Sequence, residues 1–386
     1  MGPEEKFRSW IKGDYKMVYE EPDRRIIVTG ILGQDGANMA EYLLRNKDYK
    51  VYGMMRRSAN PNTSNIDSFK DSENFELVYG DLSDEISIDR LVERIKPHYF
   101  INFAANSFVG CSWDMPIQVF DTNALGVLRC LEALRKFAPA CKFYSAGSSE
   151  EFGDVDYSPQ DMKHPIKPRS PYGASKAAAR HLVKVYRESY DMFAIHGTLF
   201  NHEGVRRGEE FVTRKITKGV ARLYYELYHA SNWRTRGTHT PPKVAPIELG
   251  NLDAKRDWSD SEDFVKGIWM MLNQQEPADY LLASGEMHSI REFVERAFYH
   301  AGMKLGRWEG EGVEEKYMYH SGEHIFPLVV VNPEFYRPAE VEELRGDPSE
   351  TFEKIGWKPE NSFDNLVRKM VYYDLEDAKK HFTQQM

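Results

Sequence analysis

IIVTGILGQDGANMAEYLL, residues Ile26 to Leu44, is the stretch on which the architecture turns. An apolar run ends in glycines spaced by two residues, Gly30, Gly33 and Gly36, and an amphipathic segment follows. A strand that closes in a glycine turn and opens a helix aims backbone N–H groups and the positive helix end at a phosphate. Glycine there removes the side chain that would stand between backbone and pyrophosphate. Gln34 and Asp35 sit inside the turn, so a carboxylate stands beside a candidate phosphate site.

Working outward, further apolar runs recur: KVYGMMR, FELVYGDL, YFINFAA, KFYSAGS and MFAIHGTLF. Between them helical periodicity covers Asn38 to Asn46, Ile86 to Ile95, Ile117 to Phe137 and Tyr172 to Ser189. Nearly continuous apolar strands alternating with amphipathic helices predict a parallel sheet covered on both faces. The fold class is therefore α/β, a doubly wound parallel Rossmann sheet with a smaller, discontinuous C-terminal substrate-binding lobe. An N-terminal extension covers 1–24. The dinucleotide-binding domain spans 25–200, with later returns around 247–285, and 201–386 mainly build the second lobe. The segment Arg234 to Pro246, RTRGTHTPPKVAP, is too polar and proline-rich to be buried.

Composition excludes several classes. The formal charge of -9 opposes a general nucleic-acid binder, because polyphosphate backbones need excess Lys and Arg. No apolar run approaches the roughly 18 residues of a membrane span. Cys111, Cys130 and Cys141 form no paired framework and no metal spacing, so a cytoplasmic protein without a bound metal is expected.

The second strand selects among dinucleotides. An acid there binds the ribose 2′-OH of NAD, whereas arginine suits the 2′-phosphate of NADP. VYGMMRRSANPN carries Arg56 and Arg57 and no acid, and the forked guanidinium fits phosphate, so NADP is favoured. Asp81 and Leu82 follow the third strand, where an adenine could rest. Ala104, Ala105, Asn106 and Ser107 follow the fourth and offer small residues beside a cofactor.

SPYGASK places Tyr172 and Lys176 four residues apart on one helix face. An ammonium beside a phenol favours the phenolate, so the Tyr172 pKa is expected to fall and make it a usable base. With Ser148 ending the fifth strand, this set and the G-x-x-G-x-x-G turn resemble the short-chain dehydrogenase/reductase superfamily. Glu150, two residues on in SSEEFG, adds a carboxylate that simple dehydrogenation does not need but an elimination does.

Six ordered segments carry a narrower resemblance: GQDG, YGDLSD, SPYGASK, NHEGVRRGEEFVTRKI, GNLDAKRDW and the tract from Arg337 to Pro359. They resemble the GDP-mannose 4,6-dehydratase family across nearly the whole chain. The resemblance implies that Gly30, Gly33, Gln34 and Asp35 line a tightly held NADP, with His202 and Arg207 holding the same cofactor. Asp35 is expected to order the turn without touching phosphate, since two anions repel. Ser107, Ser149, Asn201, Lys215, Arg256, Arg337 and Glu340 are the implied contacts to a GDP-sugar. The implied reaction is redox-neutral: Tyr172 takes the O4 proton during oxidation at C4, and Glu150 removes the C5 proton. Water then leaves from C6. Ser149 stands where a related dehydratase family has an Asp acid. A homodimer or homotetramer is implied, with the loop RRSANPNTSN reaching a neighbouring subunit.

GSSEEFG also resembles the corresponding turn of GDP-4-keto-6-deoxymannose reductases, so Glu150 alone does not separate dehydratase from reductase. GQDG and NHEGVRRG suit an enzyme that retains its cofactor. A nucleotide-sugar epimerase and a non-catalytic NADP-binding regulator remain as alternatives, and the long loop leaves GDP-heptose open beside GDP-mannose.

Overall fold

The computed structural model describes residues 24–229, 244–304, 306–321, 324–335 and 344–384. The N-terminal extension, most of the Arg234 to Pro246 loop, Arg337 and Glu340 lie outside them.

Six strands come first: β1 (Arg24–Thr29), β2 (Tyr49–Met55), β3 (Phe75–Tyr79), β4 (Tyr99–Asn102), β5 (Lys142–Ala146) and β6 (Ala194–Leu199). With the strand Tyr280–Leu282 they form one parallel seven-stranded sheet. Its order is β3, β2, β1, β4, β5, β6 and then Tyr280–Leu282. The chain winds outward from β1 through β2 to β3, then returns to β4 and winds the other way. The carboxyl ends of β1 and β4 therefore diverge and leave a crevice, the usual ligand site of such sheets.

Alternation along β1 divides the core. Ile26 and Val28 face one side, where Phe264, Ile268 and Met271 of the helix Ser261–Leu272 cover them together with Met39 and Leu43. Ile27 faces the other side, packed with Phe100, Phe143, Leu131, Leu134 and Val183. Both faces are dry, which is why these strands read as continuous apolar runs.

Two helices differ from their expected bounds. The first runs Gln34–Leu43 and not from Asn38, because Gly33 is the extended N-cap residue and the glycine turn is already the first helical turn. The expected single helix Ile117 to Phe137 is interrupted at Asp121–Leu125 by a π-helical turn. There Asn123 turns inward, accepting from the Asn106 amide at 2.8 Å and donating to Ser175 Oγ at 3.1 Å. Such turns recur where a helix must aim one side chain at a site.

The second lobe packs the helices Val212–Tyr224, Ile290–His300 and Phe363–Gln384 around their own core with a four-stranded sheet. That sheet joins Gly306–Glu309, Lys316–Ser321, His324–Val331 and Ile247–Leu249. Ile247–Leu249 thus pairs in this lobe, whereas Tyr280–Leu282 pairs with β6. Among the described residues no helix is long and apolar enough to cross a membrane.

Candidate active site

A cavity of about 1220 Å³ opens at the carboxyl ends of β1, β4, β5 and β6 and is closed by the second lobe. Single-ligand pockets occupy roughly 300–1,000 Å³, so there is room for a dinucleotide and a second nucleotide together.

The glycine turn forms its floor. Gly30 has φ +67°, and a Cβ there would stand 2.9 Å from the Ala104 amide nitrogen. A Cβ on Gly36 would meet the Gly30 carbonyl oxygen at 2.3 Å. Any side chain at either position would force the turn open, so the bare backbone cradle that a pyrophosphate needs is present.

Asp35 is held from the opposite loop. His202 Nε2 donates to Asp35 Oδ2 at 3.0 Å, while His202 Nδ1 lies 2.7 Å from the Phe200 carbonyl. A carbonyl only accepts and so does a carboxylate, so this geometry calls for a proton on each ring nitrogen, the imidazolium form. Burial opposes charge on both partners, yet their mutual attraction prevails: the His202 pKa is raised and that of Asp35 lowered. Gln34 Nε2 completes the clamp, donating to Asp35 Oδ1 at 3.1 Å and to the His202 carbonyl at 3.0 Å. The His202 ring stacks on Phe264 at 4.7 Å. The segments GQDG and NHEG thus grip each other across the cavity floor.

Around this floor the cavity is lined by Arg56, Asp81, Leu82, Ala104, Ala105, Ser107 and Arg207. Arg57 is exposed and is not part of the lining. Arg207 stands 3.1 Å from Glu203 Oε2, and its guanidinium covers the Phe211 ring at 3.5 Å. Ser149, in the turn after β5, and Asn201, Lys215 and Arg256 on the lobe side also line the cavity. Lys215 Nζ lies 3.9 Å over the Phe335 ring, and burial lowers its pKa.

Ser148, Glu150, Tyr172 and Lys176 converge at the end of β5. Ser148 caps the short helical turn Ser149–Glu151, its Oγ accepting from the Glu150 amide at 3.3 Å. Ser170 caps the helix Pro171–Tyr190, accepting from the Gly173 amide at 3.0 Å, which sets Tyr172 and Lys176 in its first turns. Lys176 Nζ donates to the Ala146 carbonyl at 2.7 Å. The electrostatics differ from the simple Tyr–Lys argument. Burial pushes the Tyr172 phenol above its ordinary range despite a hydrogen bond with Ser148, and nearby Glu150 and Glu151 add to the rise. Burial also pulls Lys176 down to about 8. Desolvation is the largest cause of both shifts, because both groups lose water on burial.

The sequence reading passed over Glu151, Arg180 and His196, which lie directly behind this turn. Two signals were available. Arg180 continues the four-residue spacing Tyr172, Lys176, Arg180, and His196 is a titratable residue inside an otherwise apolar buried strand.

A dinucleotide cradle at the β1–β4 switch point, joined to a Ser–Tyr–Lys set and closed by a second lobe, defines a nucleotide-sugar enzyme of the short-chain dehydrogenase kind. The family model described as GDP-mannose 4,6 dehydratase matches residues 27–370, and the chain belongs to that family, whose members are hydro-lyases. GDP-mannose 4,6 dehydratase of Homo sapiens is 40% identical over 364 residues, covering 92% of each chain. The fold is shared with dTDP-glucose 4,6-dehydratase of Bacillus anthracis in complex with NAD, at TM-score 0.70 and 19% identity over 92% of this chain and 98% of that one. It is shared also with RMD of Pseudomonas aeruginosa complexed with NADPH, at TM-score 0.68 and 22% identity over 92% and 99%.

Proposed function

We propose that this chain dehydrates GDP-mannose to its 4-keto-6-deoxy product and uses NADP. The family membership carries the reaction, and the convergence of Glu150 with Ser148, Tyr172 and Lys176 on one cavity supports these residue roles. A nicotinamide dinucleotide supplies the acceptor and donor of hydride when bound. Gly30, Gly33 and Gln34 would hold it through the backbone of the turn, and Asp81, Leu82, Ala104, Ala105 and Ser107 would line its path. Arg56 favours the 2′-phosphate form from the cavity wall, and Arg57 stands behind it at the surface. The His202–Asp35 clamp holds the turn closed, which suits an enzyme that keeps its cofactor through a cycle.

The substrate steps follow from the side chains. Tyr172, steadied by Ser148 and by Lys176, takes the O4 proton. The resulting ketone acidifies C5–H, and Glu150 removes that proton. The C6 hydroxyl departs as water, with Glu150 or Ser149 placed to assist; the hydride taken from C4 would return to C6 and a proton to C5, which gives the 4-keto-6-deoxy sugar with no net redox change. Asn201, Lys215 and Arg256 face the nucleotide-sugar end, where guanidinium and ammonium groups match a diphosphate, and Arg207 belongs with His202 to the cofactor-holding set. Arg337 and Glu340 belong to the same proposed set, as do assembly into a dimer or tetramer and a cytoplasmic setting.

Incubation of the purified protein with GDP-mannose, without added cofactor, tests this reading. Mass spectrometry should show a product lighter by one water. Unchanged GDP-mannose in the presence of bound cofactor would refute it.

A further inference from the structure

Glu151 is a fully buried carboxylate that the proposed chemistry does not use. Its Oε1 accepts from the Ser148 amide at 2.8 Å and from His196 Nε2 at 2.9 Å. Arg180 stands 3.6 Å from Oε2, an ion-pair distance and not a hydrogen bond. A buried, unpaired carboxylate would cost several kcal/mol, so these three partners explain how the charge persists there. The backbone just past β5, at Gly147, closes over the pair. A Cβ on Gly147 would stand 2.2 Å from His196 Nε2 and 2.7 Å from Glu151 Oε1. His196 is itself fixed from behind, its amide donating to Asp279 Oδ1 at 3.2 Å, and Asp279 pairs with Arg187 at 2.7 Å.

We propose that Glu151 is a positioning residue of the dehydratase, which pins the Ser148–Glu150 turn to His196 and faces the Tyr172–Lys176–Arg180 row with a fixed negative charge. The inference rests on the residue roles assigned above. Its first leg is geometric. Ser148 is the N-cap of the single turn Ser149–Glu151 and Glu150 lies inside it; Glu151 holds the Ser148 amide and carries the turn's side-chain link to His196 on β6. Without that anchor the hydroxyl and the C5 base lose their register against Tyr172, and misplacement of about 1 Å is enough to cost roughly a hundredfold in rate.

The second leg is electrostatic. The groups facing Glu151 are His196 on β6, Tyr144 on β5, and Tyr172, Lys176 and Arg180 on the helix Pro171–Tyr190. A negative charge favours the protonated form of each titrating neighbour, so Glu151 raises both Tyr172 and Lys176. Neutralising it therefore moves both downward. Tyr172 would become a phenolate, and Lys176 would lose its proton, at lower pH than in the unaltered protein.

Glu151→Gln tests both legs. With GDP-mannose, kcat should fall by about tenfold or more with KM little changed. Both limbs of the kcat–pH profile should move to the acid side by about half a pH unit or more. Hydrogen–deuterium exchange of the segment 147–153 should accelerate, and this readout needs no substrate. Should the Gln variant not fold, His196→Asn keeps the charge and removes its donor, and should accelerate the same exchange and lower kcat. Wild-type protein inactive on GDP-mannose would refute the dehydratase reading, and the exchange rates would still decide the role of Glu151. A folded variant with unaltered exchange overturns the pinning. A kcat loss with both pH limbs unmoved overturns the electrostatic role.

Discussion

Replacing Asp35 with Asn isolates one charge in the clamp that joins the glycine turn to the His202 loop. The side chain keeps its shape and its one oxygen can still accept from His202 Nε2, but the NH2 that replaces Oδ1 cannot accept from Gln34 Nε2, so the attraction of carboxylate for imidazolium is lost together with that weaker neutral hydrogen bond. At 3.0 Å and an effective dielectric of about 20, that attraction is about 5 kcal/mol before desolvation. The partners are only 13% and 23% exposed, so solvent screens them little, but both have given up hydration. The net loss should be about 2–3 kcal/mol, and the melting temperature of a chain of this size should fall by ~2–4 °C. The sign with pH follows from the two shifts. His202 is raised from 6.5, so its share is complete below that value and is lost as pH rises through the higher folded value. Asp35 is lowered from 3.8, so its share is present above that value and is lost as pH falls through the lower folded one. Calorimetric scans of both proteins should therefore show the widest gap between about pH 5 and pH 6, narrowing in alkaline buffer. The variant should also lose bound cofactor faster on gel filtration. A gap in melting temperature that stays constant through the imidazole range would show that His202 is not the charged partner of Asp35.

Tyr172→Phe should lower kcat by roughly 10²–10⁴ with fold and bound cofactor retained, and a variant with more than about a tenth of wild-type kcat would remove Tyr172 from the chemistry. Glu150→Gln should oxidise C4 and then stall, visible as near-ultraviolet absorbance of reduced nicotinamide in stopped flow, whereas normal dehydration would assign the C5 proton to another base. Activity should decline as pH rises past about 8, where Lys176 loses its proton; a rate constant well beyond that pH contradicts a role for its ammonium. Arg56→Ser should weaken retention of NADP but not of NAD, and equal losses of both would deny it the 2′-phosphate.

What the sequence determined by itself is local. Alternating Ile26, Ile27 and Val28, the glycine spacing and the Tyr172–Lys176 interval are properties of neighbours along the chain. A strand has a period of two and a helix face a period near four whatever lies opposite, so fold class and candidate residues could be read directly. Tertiary structure decided which of these residues meet and what charge they bear. Asp35 and His202 are 167 positions apart, and Glu151 and His196 are 45 apart; no periodicity relates either pair. The inward turn at Asn123 likewise follows from its contacts with Asn106 and Ser175, 17 and 52 positions away. The Tyr172 phenol shows the limit most clearly. Spacing alone predicts that Lys176 lowers its pKa, yet in the folded chain the pKa rises. Burial removes water from the phenol and the ammonium together, and desolvation is a property of the packed surroundings that no pair of sequence positions encodes.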